Sequence, residues 1–240
     1  MANSNFIQAD RNNTVVILPV FNSASHLNRL IPDLLQFFPK DQIFAVNDGS
    51  SDNSSDICHS FQIKTIDFDY NLGKGAALWE GIKKAMQEGY LYAFSLDSDE
   101  QHLPEHIPQF FNIMNSTQAG LVIGNRDFNP DLMPWQRILS NQITSLLVSI
   151  SFGQKIPDSQ CGYRLYSLTP LKKFMPKTLR YQFETEILLH YAQENVPISS
   201  TPIKTVYADE ISYINHLRDI WNFVAVIFKY WFSAISKILC

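Results

Sequence analysis

Short apolar runs rich in β-branched residues alternate along this chain with longer stretches whose apolar residues recur every three to four positions. Residues 14–20, TVVILPV, form the first run. After a small polar turn at 22–25, Leu27, Leu30, Leu34 and Phe37 fall at helical spacing. A second run at 43–47 is closed by Asp48-Gly49-Ser50-Ser51-Asp52, small polar residues that suit a loop and the N-cap of a following helix. Residues 63–68 read as a third strand and 73–88 as a helix rich in Ala, Leu, Lys and Glu. Residues 91–96 and 121–124 read as two further strands, separated by a Pro-started helix over about 104–115. The alternation βαβαβαβαβ predicts an α/β fold, a mostly parallel sheet flanked by helices on both faces, with ligands beyond the carboxyl ends of the strands. The polar start, 1–13, reads as a flexible N-terminus, 14–219 as one domain, and 220–240 as a separate apolar helix.

Composition narrows the classes. At 240 residues the chain is long enough for one sizeable domain, and 45% hydrophobic with 18% charged residues is ordinary for a globular protein. A net charge of -4 without a basic stripe argues against nucleic acid as a partner. The 3 cysteines, Cys58, Cys161 and Cys240, include no CxxC pair, which disfavours a disulfide framework or zinc site and points to a reducing, cytoplasmic setting. The N-terminus has no apolar run of the signal-peptide kind.

The rule about strand ends locates candidate chemistry. Pro19, Phe21 and Asn22 follow the first strand, Asp48 the second, and Asp97, Ser98 and Asp99 the fourth. Crowding carboxylates on one edge is costly unless cations or donors offset them. In Leu96-Asp97-Ser98-Asp99-Glu100-Gln101-His102 the two aspartates can aim at one point. A hard divalent cation, magnesium or manganese, takes such oxygen ligands, with the amide of Gln101 as a third. Alone, the same DxD also suits a helix-capping loop.

Read together, VVILPVFN (15–22), VNDGSSDNS (46–54), NLGKGAAL (71–78), LDSDEQHLP (96–104), VIGNR (122–126), MPWQRILSN (133–141), DSQCGYRLY (158–166) and FETEILL (183–189) resemble glycosyltransferase family 2. Within that family they resemble the branch of dolichyl-phosphate mannose and glucose synthases and their bacterial polyprenyl-phosphate relatives. The resemblance implies a GT-A, Rossmann-like fold and a metal-dependent hexosyltransferase. Pro19, Phe21, Asp48 and Lys74 would hold the nucleotide together with Asp97 and Ser98, and Asp97, Asp99 and Gln101 would hold Mg2+ or Mn2+. Arg126 and Arg137 correspond to arginines associated with the acceptor phosphate, which a guanidinium binds bidentately. Glu184 and Glu186 match a position near the acceptor, where inverting enzymes often place a base. They share a face only in extended backbone and diverge if a helix has begun at Phe183. The expected catalytic set is Asp99, Arg126, Glu184 and Glu186. Cys161 reads as a structural thiol. The sequence departs from the family at Ser23, where an acidic residue is usual, and at Glu100, where glycine is usual. An extra carboxylate there can crowd the metal site.

Residues 220–240, IWNFVAVIFKYWFSAISKILC, should be helical. Lys229 and the scattered aromatics suit docking at a membrane surface, while burial against the domain or a partner, or spanning, stays open. With Ser212, His216 and Arg218 nearby, such a helix would hold a lipid phosphate near the donor sugar, Arg218 joining the acceptor-phosphate set. The reading is therefore an inverting transferase moving a sugar from a UDP- or GDP-linked donor to a polyprenyl (dolichyl or undecaprenyl) phosphate, peripheral on the cytoplasmic face of a membrane. The alternatives are a family 2 transferase acting on a glycan hydroxyl in cell-envelope polysaccharide synthesis, or a non-catalytic nucleotide-sugar-binding protein.

Overall fold

The structure is a computed structural model that describes residues 6–127, 135–180 and 182–205, except for the side chains of residues 136, 137, 151 and 152. Its strands are β1 (Thr14–Val20), β2 (Ile43–Asn47), β3 (Lys64–Asp67), β4 (Tyr92–Ser95), β5 (Leu121–Arg126), β6 (Arg164–Ser167) and β7 (Ile198–Ile203). The helices are α1 (Ala24–Leu35), α2 (Ser54–Ser60), α3 (Lys74–Gln87), α4 (Ile107–Thr117), α5 (Trp135–Phe152) and α6 (Gln182–Gln193).

The strands form a 7-stranded sheet in the order β3-β2-β1-β4-β6-β5-β7. β1 pairs in parallel with β2 and β4, β2 with β3, and β5 with β7, while β6 runs antiparallel between β4 and β5. The five expected strands, β1 to β5, all run in one direction, and the sheet is completed by β6 and β7, which the apolar pattern does not announce. β1 and β2 are buried at every residue, as central strands covered on both faces must be. The fold is that of a GT-A domain.

Caps join the elements near the edge that matters. Asp52 accepts from the Ala24 amide at 3.1 Å through Oδ2 and from the Ser54 amide at 3.0 Å through Oδ1, so one carboxylate caps the starts of both α1 and α2. α1 turns Leu27, Leu30, Ile31 and Leu34 into the core. Phe94, Phe110 and Tyr163 pack with ring centroids 4.6–5.3 Å apart beneath the β4 end. Truncating Phe94 there would cost about 3–5 kcal/mol.

Because β6 is antiparallel, its first residue, Arg164, pairs with Ser95, the last residue of β4. The loop that enters β6 therefore lies at the same edge as the loop that leaves β4. α5 differs from the other helices: Trp135, Leu139, Ile143, Leu146 and Ile150 are all exposed, at a spacing that places them along one face. Among the described residues no helix is long and apolar enough to cross a membrane. Residues 206–240, with Arg218 and the apolar segment 220–240, lie outside the described residues.

Candidate active site

The edge is assembled from loop to loop. Asn22, at left-handed φ of 49°, accepts from the Ser51 amide at 2.8 Å and donates its own amide to Ser50 Oγ at 3.0 Å, lacing the ends of β1 and β2 together. Asp48, which follows β2 and is buried, reaches across to the loop before α3. Its carboxylate accepts from Asn71 Nδ2 at 2.9 Å, the Leu72 amide at 2.7 Å and the Gly73 amide at 2.9 Å. Burial pushes the Asp48 carboxyl up, and the two amides with the Arg180 charge pull against that rise. Gly73 has φ of +104°, and a Cβ there would meet the Leu179 carbonyl at 2.9 Å, so the turn into α3 requires glycine on both counts.

That turn aims Lys74 at the β4 end. Its ammonium lies 2.6 Å from Asp97 Oδ1 and 3.0 Å from Glu184 Oε2. Burial disfavours the charged amine, but the two carboxylates outweigh it and raise the Lys74 pKa. Burial likewise opposes the charge of Asp97, and Lys74, His102 and Arg126 outweigh it and lower the Asp97 pKa. The other oxygen of Glu184, Oε1, is buried without a hydrogen-bond partner among the described residues. Gly162 is the floor of this cluster: a Cβ there would lie 2.8 Å from both Asp97 Oδ2 and Lys74 Nζ.

Asp99 accepts from the Gln101 amide at 3.0 Å, which turns the DxD loop back on itself. Ser98 is buried, its hydroxyl 2.7 Å from that of Ser23, so this departure from the family pattern is a packing partner of the DxD loop. Glu100 has φ of 59°, a left-handed conformation in which the family's usual glycine would be at ease. Its side chain turns away from the aspartates to a bidentate contact with Arg29 at 2.8 and 2.6 Å, with His26 at 3.3 Å. The extra carboxylate of Glu100 is thus held by Arg29 of α1.

Arg126 ends β5 and is clamped by the fully buried Asp158, Nε to Oδ2 at 2.7 Å and Nη2 to Oδ1 at 2.9 Å. Asn141 of α5 also donates to that carboxylate at 3.0 Å. Burial opposes the Asp158 charge, yet Arg126 holds its carboxyl below the usual range. The backbone of Arg137 lies on α5, and its side chain is outside the described residues, as is all of Arg218.

α6 begins at Gln182, so Glu184 and Glu186 are helical and point apart. Of the two arrangements the sequence left open, the helical one, in which they diverge, is found. Glu186 accepts from the Lys177 amide at 2.8 Å and from the Thr178 amide at 2.9 Å, and so fastens the preceding loop, while Glu184 meets Lys74. Phe21 stands 48% exposed at the β1 end, open to a stacking base. Pro19 is buried within β1 opposite Val46. Cys161 is buried, 3.8 Å from His102 Nε2. Burial pushes its thiol up to about 12 and His102 down to about 4, so the pair holds neither thiolate nor imidazolium near neutrality. This supports the structural reading of Cys161.

The residues fit a divalent cation shared with a substrate. Asp97, Asp99 and Gln101 supply hard oxygen donors, and Mg2+ ordinarily takes one or two carboxylates plus substrate phosphates. Among the described residues no group of three or more His, Cys, Asp or Glu is placed to hold a metal ion. Sequence reasoning missed Gly162 as the floor, Asp158 as the clamp of Arg126, and the bond between Lys74 and Glu184. The only signal was their place within the quoted segments, since each partnership joins positions far apart in the chain.

Comparison with known proteins agrees with the geometry. The profile of the family described as "Glycosyl transferase family 2" matches residues 15–175. The chain is 27% identical over 216 residues to a UDP-N-acetylglucosamine–dolichyl-phosphate N-acetylglucosaminyltransferase of Methanococcus voltae, covering 81% of this chain and 86% of that one. It is 24% identical over 203 residues to an undecaprenyl-phosphate mannosyltransferase of Micrococcus luteus, covering 80% and 83%. Among solved structures, glucosyl-3-phosphoglycerate synthase from Mycobacterium tuberculosis, crystallised with Mn2+, UDP and glucosyl-3-phosphoglycerate, superposes with a TM-score of 0.68 at 15% identity over 92% of this chain and 79% of that one.

Proposed function

This chain belongs to glycosyl transferase family 2, and from that premise we propose that it moves a sugar from a nucleoside diphosphate donor to a polyprenyl phosphate, with inversion. The observation that carries the reading is the Lys74 ammonium gripped by Asp97 and Glu184, a cation poised among carboxylates at the edge where a diphosphate would lie. The acceptor class is supported by the relatives of similar length, whose names specify dolichyl or undecaprenyl phosphate.

Phe21 would stack on the base. Asp48, by fixing residues 71–73, would set the position from which Lys74 meets the diphosphate. We assign Asp97, Asp99 and Gln101 to holding Mg2+ or Mn2+, which when bound supplies Lewis-acid neutralisation of the departing diphosphate. A lipid phosphomonoester has a second pKa of about 6, so its oxygen is a nucleophile at neutral pH without a strong base. Glu184 is then a positioning group: Oε2 holds Lys74, and the buried Oε1 needs a donor that a sugar hydroxyl would supply. Arg126, fixed by Asp158, and Arg137 and Arg218 are assigned to the acceptor phosphate. Residues 220–240 would keep the enzyme at the cytoplasmic face of the membrane.

The test has two stages. Nucleotide sugars are screened by melting-temperature shift with and without manganese, and labelled donor is then offered with polyprenyl phosphate or with a free glycan. Label in the lipid fraction, lost in EDTA and lost in Asp99→Ala with melting unchanged, is the expected result. Full transfer in EDTA would remove the metal from the proposal, and label in the glycan alone would replace the acceptor.

A further inference from the structure

We propose that the loop between β6 and α6 is a preformed contact for the anionic headgroups of a phospholipid bilayer. Residues 168–182 contain Lys172, Lys173, Lys177 and Arg180 and no acidic residue, within a chain whose net charge is -4. All four are exposed, and between them stand Met175, 80% exposed, and Leu179, 45% exposed. Large apolar side chains interleaved with lysines suit a surface that is anionic at the headgroups and apolar just below them, because a lysine stem lies along the apolar layer while its ammonium stays with phosphate. A soluble acidic partner would satisfy the cations and leave Met175 unexplained.

The loop is held rigidly from behind. Phe174 is buried against Trp79 and His190, with centroids at 5.6 and 4.9 Å. Glu186 accepts the Lys177 and Thr178 amides, and the Leu179 carbonyl accepts from the Ala76 amide at 2.8 Å. The exposed side chains are therefore presented without an ordering cost to the backbone on binding. The last contacts also fix its location: Leu179 and Arg180 pack on Gly73 and Gly75, either side of Lys74. The end of the loop, Leu179 and Arg180, is thus at the rim of the candidate site, while Lys172 and Lys173 follow the end of β6 at the opposite edge of the sheet, where Ser167 pairs with Tyr92; α5, with its exposed apolar stripe, packs on the helix that the loop leads into. The proposal rests on the lipid-acceptor reading for its purpose, since an enzyme whose acceptor is embedded in a bilayer gains from a surface that seats its site there. Vesicle binding, however, can be measured without that reading.

The full-length protein is sedimented with vesicles of phosphatidylglycerol and phosphatidylcholine in equal parts, and with phosphatidylcholine alone. The wild type is expected to prefer the anionic vesicles and to lose that preference at high salt. Removing two charges in Lys172→Gln/Lys173→Gln should weaken that partitioning roughly twenty- to thirtyfold, with the melting temperature and manganese-dependent nucleotide binding unchanged. Met175→Glu should weaken it as well. Partitioning of the double variant equal to wild type, equal binding of the wild type to neutral vesicles, or a loss that tracks a change in oligomeric state would each overturn the proposal. The first two would transfer the role to residues 220–240, and the third to self-association. A detergent-soluble, short-chain polyprenyl phosphate separates the two readings. If the wild type glycosylates no lipid phosphate, the acceptor reading fails while the vesicle result stands on its own.

Discussion

Asp158 and Gly162 show how single positions govern this site without themselves meeting substrate. Asp158 neutralises the buried Arg126 guanidinium, and removing one partner of such a pair leaves the other uncompensated at a cost of about 3–5 kcal/mol. Asp158→Asn should therefore melt well below wild type at neutral pH. The carboxyl of Asp158 is depressed in the folded protein, so its contribution is full above the ordinary carboxylate value of 3.8 and fades as pH falls through the lower, folded value. The gap between the two melting curves should narrow under acid. A gap constant with pH would show that the ionised pair is not what the substitution removed. Gly162→Ala tests the floor of the cluster. A methyl 2.8 Å from both Asp97 and Lys74 must displace one of them. Turnover should fall at least about tenfold, the cost of a small misplacement at a reacting centre, and manganese affinity should fall with it. An alanine variant with wild-type turnover would mean that the contact between Lys74 and Asp97 has no catalytic consequence.

At the scale of elements, one helix carries two glutamates with separate duties. α6 presents Glu184 to Lys74 and Glu186 to the loop amides of Lys177 and Thr178. Glu184→Gln should lower turnover while melting stays close to wild type. Glu186→Gln should do the reverse, costing about 1–3 kcal/mol as the loop amides lose a buried, charged acceptor. Equal effects of the two on turnover would contradict the division. This division was only half legible from the sequence. Period and caps placed β1 and β2 to the residue, and α3 to within one residue at each end, because their apolar runs are buried on both faces or carry strong helix formers. β6 escaped because RLYS is short and opens with a charge. Arg164 is nevertheless fully buried, its guanidinium satisfied by the carbonyls of Cys161, Ser159 and Glu184. Only tertiary structure can make an arginine a core residue, so no window of sequence reports it. Asp48 was legible as a strand-end carboxylate. Its grip on the loop before Lys74 was not, since the donors are mostly backbone amides, whose position depends on how the chain returns.

For the whole molecule, the open question is how the donor edge is brought to an acceptor in a bilayer. β5 and β7 run in parallel with Arg126 opposite Ile203, so the chain leaves both strands at the edge that carries Asp97 and Asp99. Thr205, just beyond β7, is bridged to His102 at that edge, and the apolar segment 220–240 follows later in the sequence. If that segment docks on lipid, deleting it should weaken co-sedimentation with neutral and anionic vesicles alike and lower transfer to long-chain polyprenyl phosphate. Manganese-dependent donor binding should survive, because every described donor-side residue lies before Thr205. If the segment instead covers the domain, as the exposed stripe of α5 would permit, its loss should widen an apolar patch and the protein should aggregate or lose cooperative melting. The basic loop predicts a graded outcome between these: the truncated protein keeps a salt-sensitive preference for anionic vesicles that the full chain shows on top of a salt-insensitive one. A truncated protein that melts cooperatively and transfers sugar to long-chain lipid at the intact rate would contradict the docking role of 220–240 and leave the loop, with α5, as the candidate among the described residues for seating the site.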